Sequence, residues 1–216
     1  MIVIVGCEKS QIVTEAFRAI GVEAHSCDIQ PCSGGHPEWH FQEDILELLK
    51  RKKFDLGIFH PPCTDIAVSG NRSFPQKIAD GRQQRAIDFF LALTNAPIEN
   101  IAIENPVCIM SSKYRKPDQI IHPYFFGDNV PKKTCLWLKN LPPLKYSLSD
   151  NLFENKTSVE PEYFEYNSKK TKSGKSRYSR FGKLGKGKGE ERSVFFPGTA
   201  RAMAEQWTEY ILNKRK

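Results

Sequence analysis

The sequence has no apolar run near the roughly 20 residues that a membrane-spanning helix needs. Its first residues, MIVIVGCEKS, contain a short apolar run without a preceding basic region, which indicates a strand and not a secretory signal. We therefore expect a soluble, cytoplasmic chain without a membrane partner. At 216 residues, with 14 Phe and 3 Trp, the chain can bury the core of one domain with a small appendage.

Cysteine is too sparse for a disulfide framework, because the six residues are scattered over the whole chain. One group, Cys27, Cys32, His36 and His40, has the residue types of a tetrahedral zinc site. Its spacing lacks the long loop that usually separates the cysteine pair from the histidine pair. We predict a loop of unconnected polar residues and no bound metal.

Glycine is scarce where nucleotide-binding folds usually need it. The turn after the first strand, GCEKSQ, has only Gly6 and lacks a dinucleotide fingerprint, so nothing there is suited to cradle a pyrophosphate. Asp28 ends the second strand, about 20 residues later, where such folds hold a ribose hydroxyl. A cofactor with an adenosine but no pyrophosphate fits this pattern, although Asp28 could equally cap a loop.

Acidic residues are fewer than basic ones, 25 Asp and Glu against 32 Lys and Arg, and the net charge is +7. Segment 168–193 holds ten Lys and Arg against two Glu, so the excess lies in one Gly- and Ser-rich stretch. Tyr178 and Phe181 are interleaved with the charges, and aromatic rings can stack on bases. A solvated loop is the alternative, but the pattern favours nucleic-acid contact. The candidate contacts here are Lys169, Lys170, Lys172, Lys175, Arg177 and Arg180.

Apolar runs and helical periodicities alternate along the chain. They predict strands at 1–5, 22–29, 54–59, 98–106 and 133–140, and helices at 11–20, 43–53, 81–96 and 199–212. We expect an α/β fold, with a mostly parallel sheet and helices on both faces. Ser10 is the expected N-cap of the first helix, and Ile20 is expected on its apolar face. Residues 141–195 lose the periodicity.

The residues at the predicted strand ends are the chemically capable ones. In parallel α/β sheets, ligands bind beyond the carboxyl ends of the strands. Pro61 and Pro62 stiffen the exit of the third strand and present Cys63, while Glu104, Asn105 and Pro106 end the fourth. A thiol and a carboxyl at adjacent strand ends suggest a nucleophile with an acid partner.

These two motifs, PPC at 61–63 and IENP at 103–106, resemble the paired catalytic motifs of DNA (cytosine-5) methyltransferases. VGCEKSQIVTEAFRAIGVEAHSCDI resembles that family's S-adenosyl-L-methionine loop with its acidic ribose-binding residue. EDI, FGDNVPKKTCLWLKNL and PGTARAMAEQW are similar to the adenine motif, the base-contacting strand and the closing helix. The resemblance covers about 1–145 and 196–212 and is nearest to short, phage-encoded proteins.

The resemblance implies a Rossmann-like, S-adenosyl-L-methionine-dependent methyltransferase fold and a division of the chain. Residues 1–144 and 196–216 would form the catalytic domain, and 145–195 a small, basic, partly flexible DNA-contacting segment. The implied catalytic residues are Cys63, Glu104, Pro62 and Asn105. The implied cofactor residues are Gly6, Cys7, Glu8, Ser10, Asp28, Ile29, Asp44, Ile45 and Pro61. Further DNA contacts would be Ser69, Asn71, Arg72, Arg82, Arg85, Lys132 and Lys133.

The implied reaction places a methyl group on C5 of cytosine in DNA, through a covalent bond between Cys63 and C6 of a flipped base. Loop 64–74 is a candidate mobile loop for that flipping. Two alternatives stay open: a methyltransferase fold with altered or lost chemistry that binds DNA, and methylation of cytosine in RNA or nucleotides. Amino-directed methyltransferases fit less well, because they usually carry an aromatic residue where Cys63 stands. We expect a monomer, in a bacterial or phage-infected cell.

Overall fold

The computed structural model describes residues 1–149, 155–167, 175–179 and 194–215. The strands there are β1 (Ile2–Gly6), β2 (Glu23–Asp28), β3 (His40–Gln42), β4 (Leu56–Phe59), β5 (Asn100–Pro106), β6 (Gln119–Ile121), β7 (Thr134–Lys139), β8 (Phe164–Asn167) and β9 (Lys175–Tyr178). The α-helices are α1 (Ile12–Ala19), α2 (Ile45–Arg51), α3 (Phe74–Ala79), α4 (Arg82–Thr94), α5 (Met110–Lys113) and α6 (Pro197–Lys214). Short 3-10 helices span Pro37–Trp39, Val68–Ser73 and Pro123–Phe126.

A seven-stranded sheet organises the chain, in the order β3-β2-β1-β4-β5-β7-β6. Its strands are parallel except β7, which runs antiparallel to both β5 and β6. The order reverses between β1 and β4, which is where doubly wound folds open a ligand crevice. The predicted fold class is confirmed: this is a Rossmann-like α/β fold with a mostly parallel sheet.

Helices cover both faces of the sheet, as predicted. Val3 and Val5 of β1 pack toward α1 and α6, whereas Ile4, between them, packs toward α2 and α4, because successive strand residues face opposite sides. Each face is anchored by one fully buried indole. Trp207 of α6 donates to the carbonyl oxygen of Pro142 at 3.0 Å, so its polar atom is satisfied inside the core.

The strong sequence patterns became the expected elements within a few residues, and the weak ones were missed. The predicted apolar stripe of the last helix, Ala200, Met203, Ala204, Trp207 and Ile211, is buried throughout. Strands β3 and β6 and helices α3 and α5 were not predicted, because each has six residues or fewer and no clear period. The prediction for Ile20 was wrong, since its side chain is 41% exposed.

The start of α1 also differs from the prediction. Gln11, and not Ser10, is the N-cap residue, with φ of 62° and no side-chain capping bond. The buried carboxylate of Glu8 takes over this role. Its Oε1 accepts from the Val13 amide at 2.7 Å, and its Oε2 accepts from the Thr14 hydroxyl at 2.7 Å. A carboxylate suits this place because the first amides of a helix carry partial positive charge.

Part of the segment without periodicity forms a small hairpin from β8 and β9. Phe164 pairs directly with Tyr178, and Tyr166 lies two residues along, so the three rings share one face. The opposite face carries Glu165, paired with Arg177. No helix in the described ranges is long and apolar enough to span a bilayer.

Candidate active site

The predicted site residues gather at one edge of the sheet, because four parallel strands end there in register. Gly6 pairs with both Cys27 and Phe59, and Phe59 pairs with Ile103. The next residues along the four strands are Cys7, Asp28, His60 and Glu104. The strand-end reasoning from sequence therefore identified a real common edge.

Two side-chain hydrogen bonds join the loop after β4 to the end of β5. Asn105 donates from Nδ2 to the carbonyl oxygen of Pro61 at 2.7 Å. The His60 ring contacts Glu104, with 3.1 Å between Nδ1 and Oε2. These bonds fix the start of the PPC loop beside the carboxyl of Glu104.

Cys63 begins a tight turn and is half-buried. Its carbonyl oxygen accepts from the amides of Ile66 and Ala67 at 3.1 and 2.8 Å, as in a first helical turn. The buried ammonium of Lys77 then donates to the carbonyl of Thr64 and lies 3.4 Å from the carboxylate of Asp65. Pro61 and Pro62 restrict the backbone before Cys63, and the contacts of Lys77 hold the backbone that follows it.

The Cys63 thiol and the Glu104 carboxyl act on the same neighbours. Burial lowers the pKa of Lys132, and Glu104 and Cys63 both oppose that shift. The pKa of Cys108 is raised to about 12, mainly by burial, with further contributions from Cys135, Cys63 and Glu104. Since β7 is antiparallel to β5, Lys132 just before β7 reaches the edge where β5 ends. Lys132 therefore interacts electrostatically with both the thiol and the carboxyl.

Burial makes most other thiols poor nucleophiles, because the thiolate is the reactive form. It raises the pKa of Cys7, of Cys27 to about 12 and of Cys135 to about 11. Together with Cys108, four of the six thiols are disfavoured as anions. Of the other two, Cys63 follows the strand end at which His60 contacts the Glu104 carboxyl.

The chain just before α6 covers this site. The Phe195 ring meets the His60 ring edge-on, with 4.8 Å between centroids. Lys132 donates from Nζ to the carbonyl oxygen of Val194 at 3.3 Å and lies 5.3 Å from the Phe196 ring centroid. The segment therefore excludes water from one side of the His60–Glu104 pair.

The predicted cofactor residues form a second, adjacent group. The pKa of Cys7 is raised by burial first and then by Asp28, Cys27 and Asp44, which places both carboxylates near the end of β1. Asp28 and Asp44 each accept one backbone amide through Oδ1, from Gln30 at 2.9 Å and from Leu46 at 2.8 Å. Ile29 projects an apolar side chain that is 74% exposed.

Close packing explains the one glycine of the first turn. A Cβ at Gly6 would lie 2.7 Å from the Phe59 ring and 2.9 Å from Ile45, so no larger residue fits without rearrangement.

The remaining predicted catalytic and cofactor residues differ in burial. Pro61 is buried and Pro62 is exposed. Ile45 begins α2 and is part of the core. Glu8 and Ser10 lie beside this group, with both oxygens of Glu8 bound to α1.

The predicted DNA contacts are placed differently from one another. Ser69, Asn71 and Arg72 are exposed on the 3-10 helix Val68–Ser73, which follows the Cys63 turn. Arg82 pairs with Asp80 at 2.7 Å, and Arg85 and Lys133 are exposed. Lys175 and Arg177 on β9 face Glu165, at 3.7 and 2.8 Å. Lys169, Lys170, Lys172 and Arg180, and the ring of Phe181, lie outside the described residues.

The suggested zinc ligands do not converge. Cys27 donates to the carbonyl of Glu43 at 3.4 Å, and His40 contacts the hydroxyl of Ser26 at 2.8 Å. His36 instead stacks on Trp39, with 3.7 Å between ring centroids. In the described ranges, no group of three or more His, Cys, Asp or Glu side chains is arranged to hold a metal ion.

Sequence reasoning gave no role to His60, Lys77 or Phe195. His60 stands directly before the double proline, so its place at the strand end was readable from the sequence, but its bond to Glu104 depends on the pairing of β4 and β5. Lys77 and Phe195 are 14 and 132 residues from Cys63 in the chain. No local pattern links residues at such separations.

No family model matches the sequence, and no curated protein matches it. Solved structures do: one is described as a DNA modification methyltransferase encoded within an E. coli prophage, with a TM-score of 0.44 and 17% identity over 64% of this chain and 46% of that one. Another is the Dnmt2 methyltransferase of S. pombe, with a TM-score of 0.41 and 14% identity over 66% of this chain and 50% of that one. This chain thus spans about half the length of either protein. Both are described as methyltransferases.

Proposed function

We propose that this protein transfers a methyl group from S-adenosyl-L-methionine to C5 of cytosine in DNA. The observation that carries the proposal is the shared environment of Cys63 and Glu104. The Asn105–Pro61 and His60–Glu104 bonds tie the two strand ends together, and both groups influence Lys132. A nucleophile and an acid held at one site are what addition to a pyrimidine ring requires.

The chemical difficulty is that C5 of cytosine is a poor nucleophile. In our proposal the Cys63 sulfur forms a bond to C6, and the electron pair displaced from the C5–C6 double bond makes C5 nucleophilic. Glu104 hydrogen-bonds to N3 or protonates it, and so stabilises the charge that develops there. After C5 is methylated, a water molecule takes the C5 proton, the C5–H electron pair re-forms the C5–C6 double bond, and the sulfur leaves C6 as a thiolate. The base must leave the duplex to reach the thiol.

The residues around the end of β1 fit the cofactor that this reaction needs. S-adenosyl-L-methionine supplies an electrophilic methyl group when it is bound. Its ribose hydroxyls and adenine amino group are donors, and Asp28 and Asp44 are acceptors that use only Oδ1 in their backbone bonds. The exposed side chain of Ile29, beside Asp28, offers an apolar surface for the adenine ring. Both carboxylates are also within electrostatic range of Cys7.

DNA contact is proposed for two surfaces. Ser69, Asn71 and Arg72 are exposed just after the Cys63 turn, where they can grip the strand from which the base is flipped. The second surface is the basic segment 145–195, whose hairpin presents Phe164, Tyr166 and Tyr178 on one face. Basic residues beside stacking aromatics are the usual means of holding a nucleic-acid strand.

Methyl transfer from labelled S-adenosyl-L-methionine to duplex DNA, single-stranded DNA and RNA tests the proposal directly. We expect labelled 5-methylcytosine in DNA, confirmed by bisulfite sequencing, and loss of transfer in Cys63→Ser with cofactor binding retained. Cys32→Ser is the matched control, because Cys32 is also partly exposed but lies in the loop after β2. Full turnover by Cys63→Ser would refute the mechanism, and label confined to RNA would refute the substrate.

A further inference from the structure

His60 lies beside Glu104 but has no role in the reaction proposed above. It is the first residue after β4, and its amide donates to the carbonyl of Gly6 at 3.0 Å, so its backbone is fixed to β1. Its side chain is 13% exposed, as is that of its partner Glu104. Nδ1 contacts Glu104 Oε2 at 3.1 Å, while Nε2 is buried and has no hydrogen-bond partner among the described residues.

Two carboxyl groups interact with the imidazole. Burial raises the pKa of Glu8, and electrostatic interaction with His60 is the largest influence that opposes this shift, so Glu8 is within electrostatic range of the ring. Glu104 contacts the ring from β5, and the Phe195 ring meets it edge-on. The other titratable groups near the pair interact electrostatically with Glu104 or with one another. They are Lys132, Cys63, Cys108 and Cys135.

We propose that His60 is a positioning and proton-relay residue, which holds Glu104 through Oε2 and resupplies the proton that Glu104 gives to the base. The inference rests on the proposed function and deepens it. Glu104 has two oxygens, and the one bound to His60 fixes the carboxyl while the other is left for N3. The buried imidazole is a proton source that bulk water, excluded on the Phe195 side, cannot easily replace there.

The relay conserves protons. As the sulfur–C6 bond forms, N3 takes one proton from Glu104, and Glu104 takes the Nδ1 proton of the His60 imidazolium. The ring ends neutral, Glu104 ends as it began, and the base carries one added proton. When the sulfur–C6 bond breaks after methylation, the same proton returns from N3 through Glu104 to Nδ1, so the pair is ready for another cycle without an external donor.

The first test is the pH profile of methyl transfer for His60→Asn. Asparagine can still donate to Glu104 but cannot store a proton, so the alkaline limb of kcat should move to lower pH, because a lone carboxyl loses its proton before a two-site pair does. We expect kcat to fall by about 10- to 100-fold, near the low end of what a general acid contributes, with little change in KM. His60→Phe, which keeps a ring but no donor, should lose more activity than His60→Asn.

His25→Asn is the matched control. Its Nε2 also contacts a carboxylate, Glu23, at 3.1 Å, and its Nδ1 is also buried without a partner in the described ranges, but it lies within β2. Its pH profile should match that of the wild type. If the alkaline limbs of His60→Asn and the wild type coincide, the relay is wrong.

The second test does not depend on activity. Imidazole nitrogen shifts, measured by NMR at one pH, should show that the His60 Nδ1 signal changes in Glu104→Gln, because its hydrogen-bond partner at 3.1 Å is altered, with His25 unchanged. An unchanged His60 signal overturns the pairing whatever the protein catalyses. A changed signal together with no methyl transfer by the wild type would reject the proposed function, and the relay with it, but keep the pairing.

Discussion

Asn105 donates a hydrogen bond to the carbonyl oxygen of Pro61, and Asn100 donates one of the same kind to Asp55, at 2.7 and 2.9 Å. Both amides lie on β5 and both acceptors flank β4, so the two bonds brace the same pair of strands at opposite ends. The Asn105 bond is at the carboxyl end, beside Cys63. Because the two bonds are alike and only the Asn105 bond lies near Cys63, comparing them distinguishes an effect on stability from an effect on the reaction.

Asn105→Ala and Asn100→Ala should destabilise the protein by similar amounts, about 1–3 kcal/mol, because each leaves a buried carbonyl without its partner. Only Asn105→Ala should also reduce kcat for methyl transfer, since only it loosens the PPC loop. Urea unfolding and single-turnover kinetics of the two variants provide the comparison. Equal kinetics for the two would show that Asn105 has no role beyond stability.

Asp28→Ala and Asp44→Ser should each weaken binding of S-adenosyl-L-methionine. Serine is chosen at position 44 because that residue caps α2, and serine caps a helix about as well as aspartate while removing the carboxylate. Loss of a hydrogen bond to a charged group costs about 1.5–3 kcal/mol, which is roughly a 10- to 100-fold rise in Kd.

Isothermal calorimetry measures these affinities, with Asp88→Ala on the exposed side of α4 as the control. Unchanged affinity in both cofactor variants would remove the cofactor from this edge of the sheet.

Replacing Lys169, Lys170 and Lys172 with Gln should weaken DNA binding and flatten its dependence on salt. Each lysine that neutralises a phosphate contributes about 0.9 to the slope of log K against log salt concentration, so the slope should fall by up to about 2.7. Fluorescence anisotropy over a salt series measures both quantities. The control removes three charges near α2: Lys50, Lys52 and Lys53. An identical slope in the two triple variants would show that the basic segment makes no specific contribution.

Glu8→Gln should change how stability depends on pH. Burial raises the pKa of Glu8 above its ordinary value of 4.5, so the folded state holds this proton more tightly than the unfolded state does. The associated stabilisation is complete below pH 4.5 and is lost as pH rises through the higher folded-state value. The free energy of unfolding of the wild type, minus that of Glu8→Gln, should therefore fall with rising pH.

Urea unfolding between pH 4 and pH 8 measures this difference, and Glu15→Gln on the exposed face of α1 is the control. A difference that grows with pH would mean that the capping bonds of Glu8 outweigh its desolvation.

The sequence was sufficient where a signal is local. The β-branched run of β1, the period of α6 and the proline-bounded end of β4 each specify an element through nearest-neighbour sterics and burial of one face. Parallel strands place their carboxyl ends together, so the common edge of Asp28, Cys63 and Glu104 followed from the order of elements alone. Short elements such as β3 and β6 carry too few residues for a period to be recognised.

What only the tertiary structure decided is which side chain meets which across that edge. The bond of His60 to Glu104, the brace from Asn105 to Pro61 and the approach of Lys132 depend on the register of β4, β5 and β7. The use of Glu8 as the cap of α1 likewise depends on the backbone of the turn between β1 and α1, where Cys7 and Gln11 have positive φ. Local composition determines an element through its own few residues, whereas a contact between distant residues is set by the packing of the whole sheet.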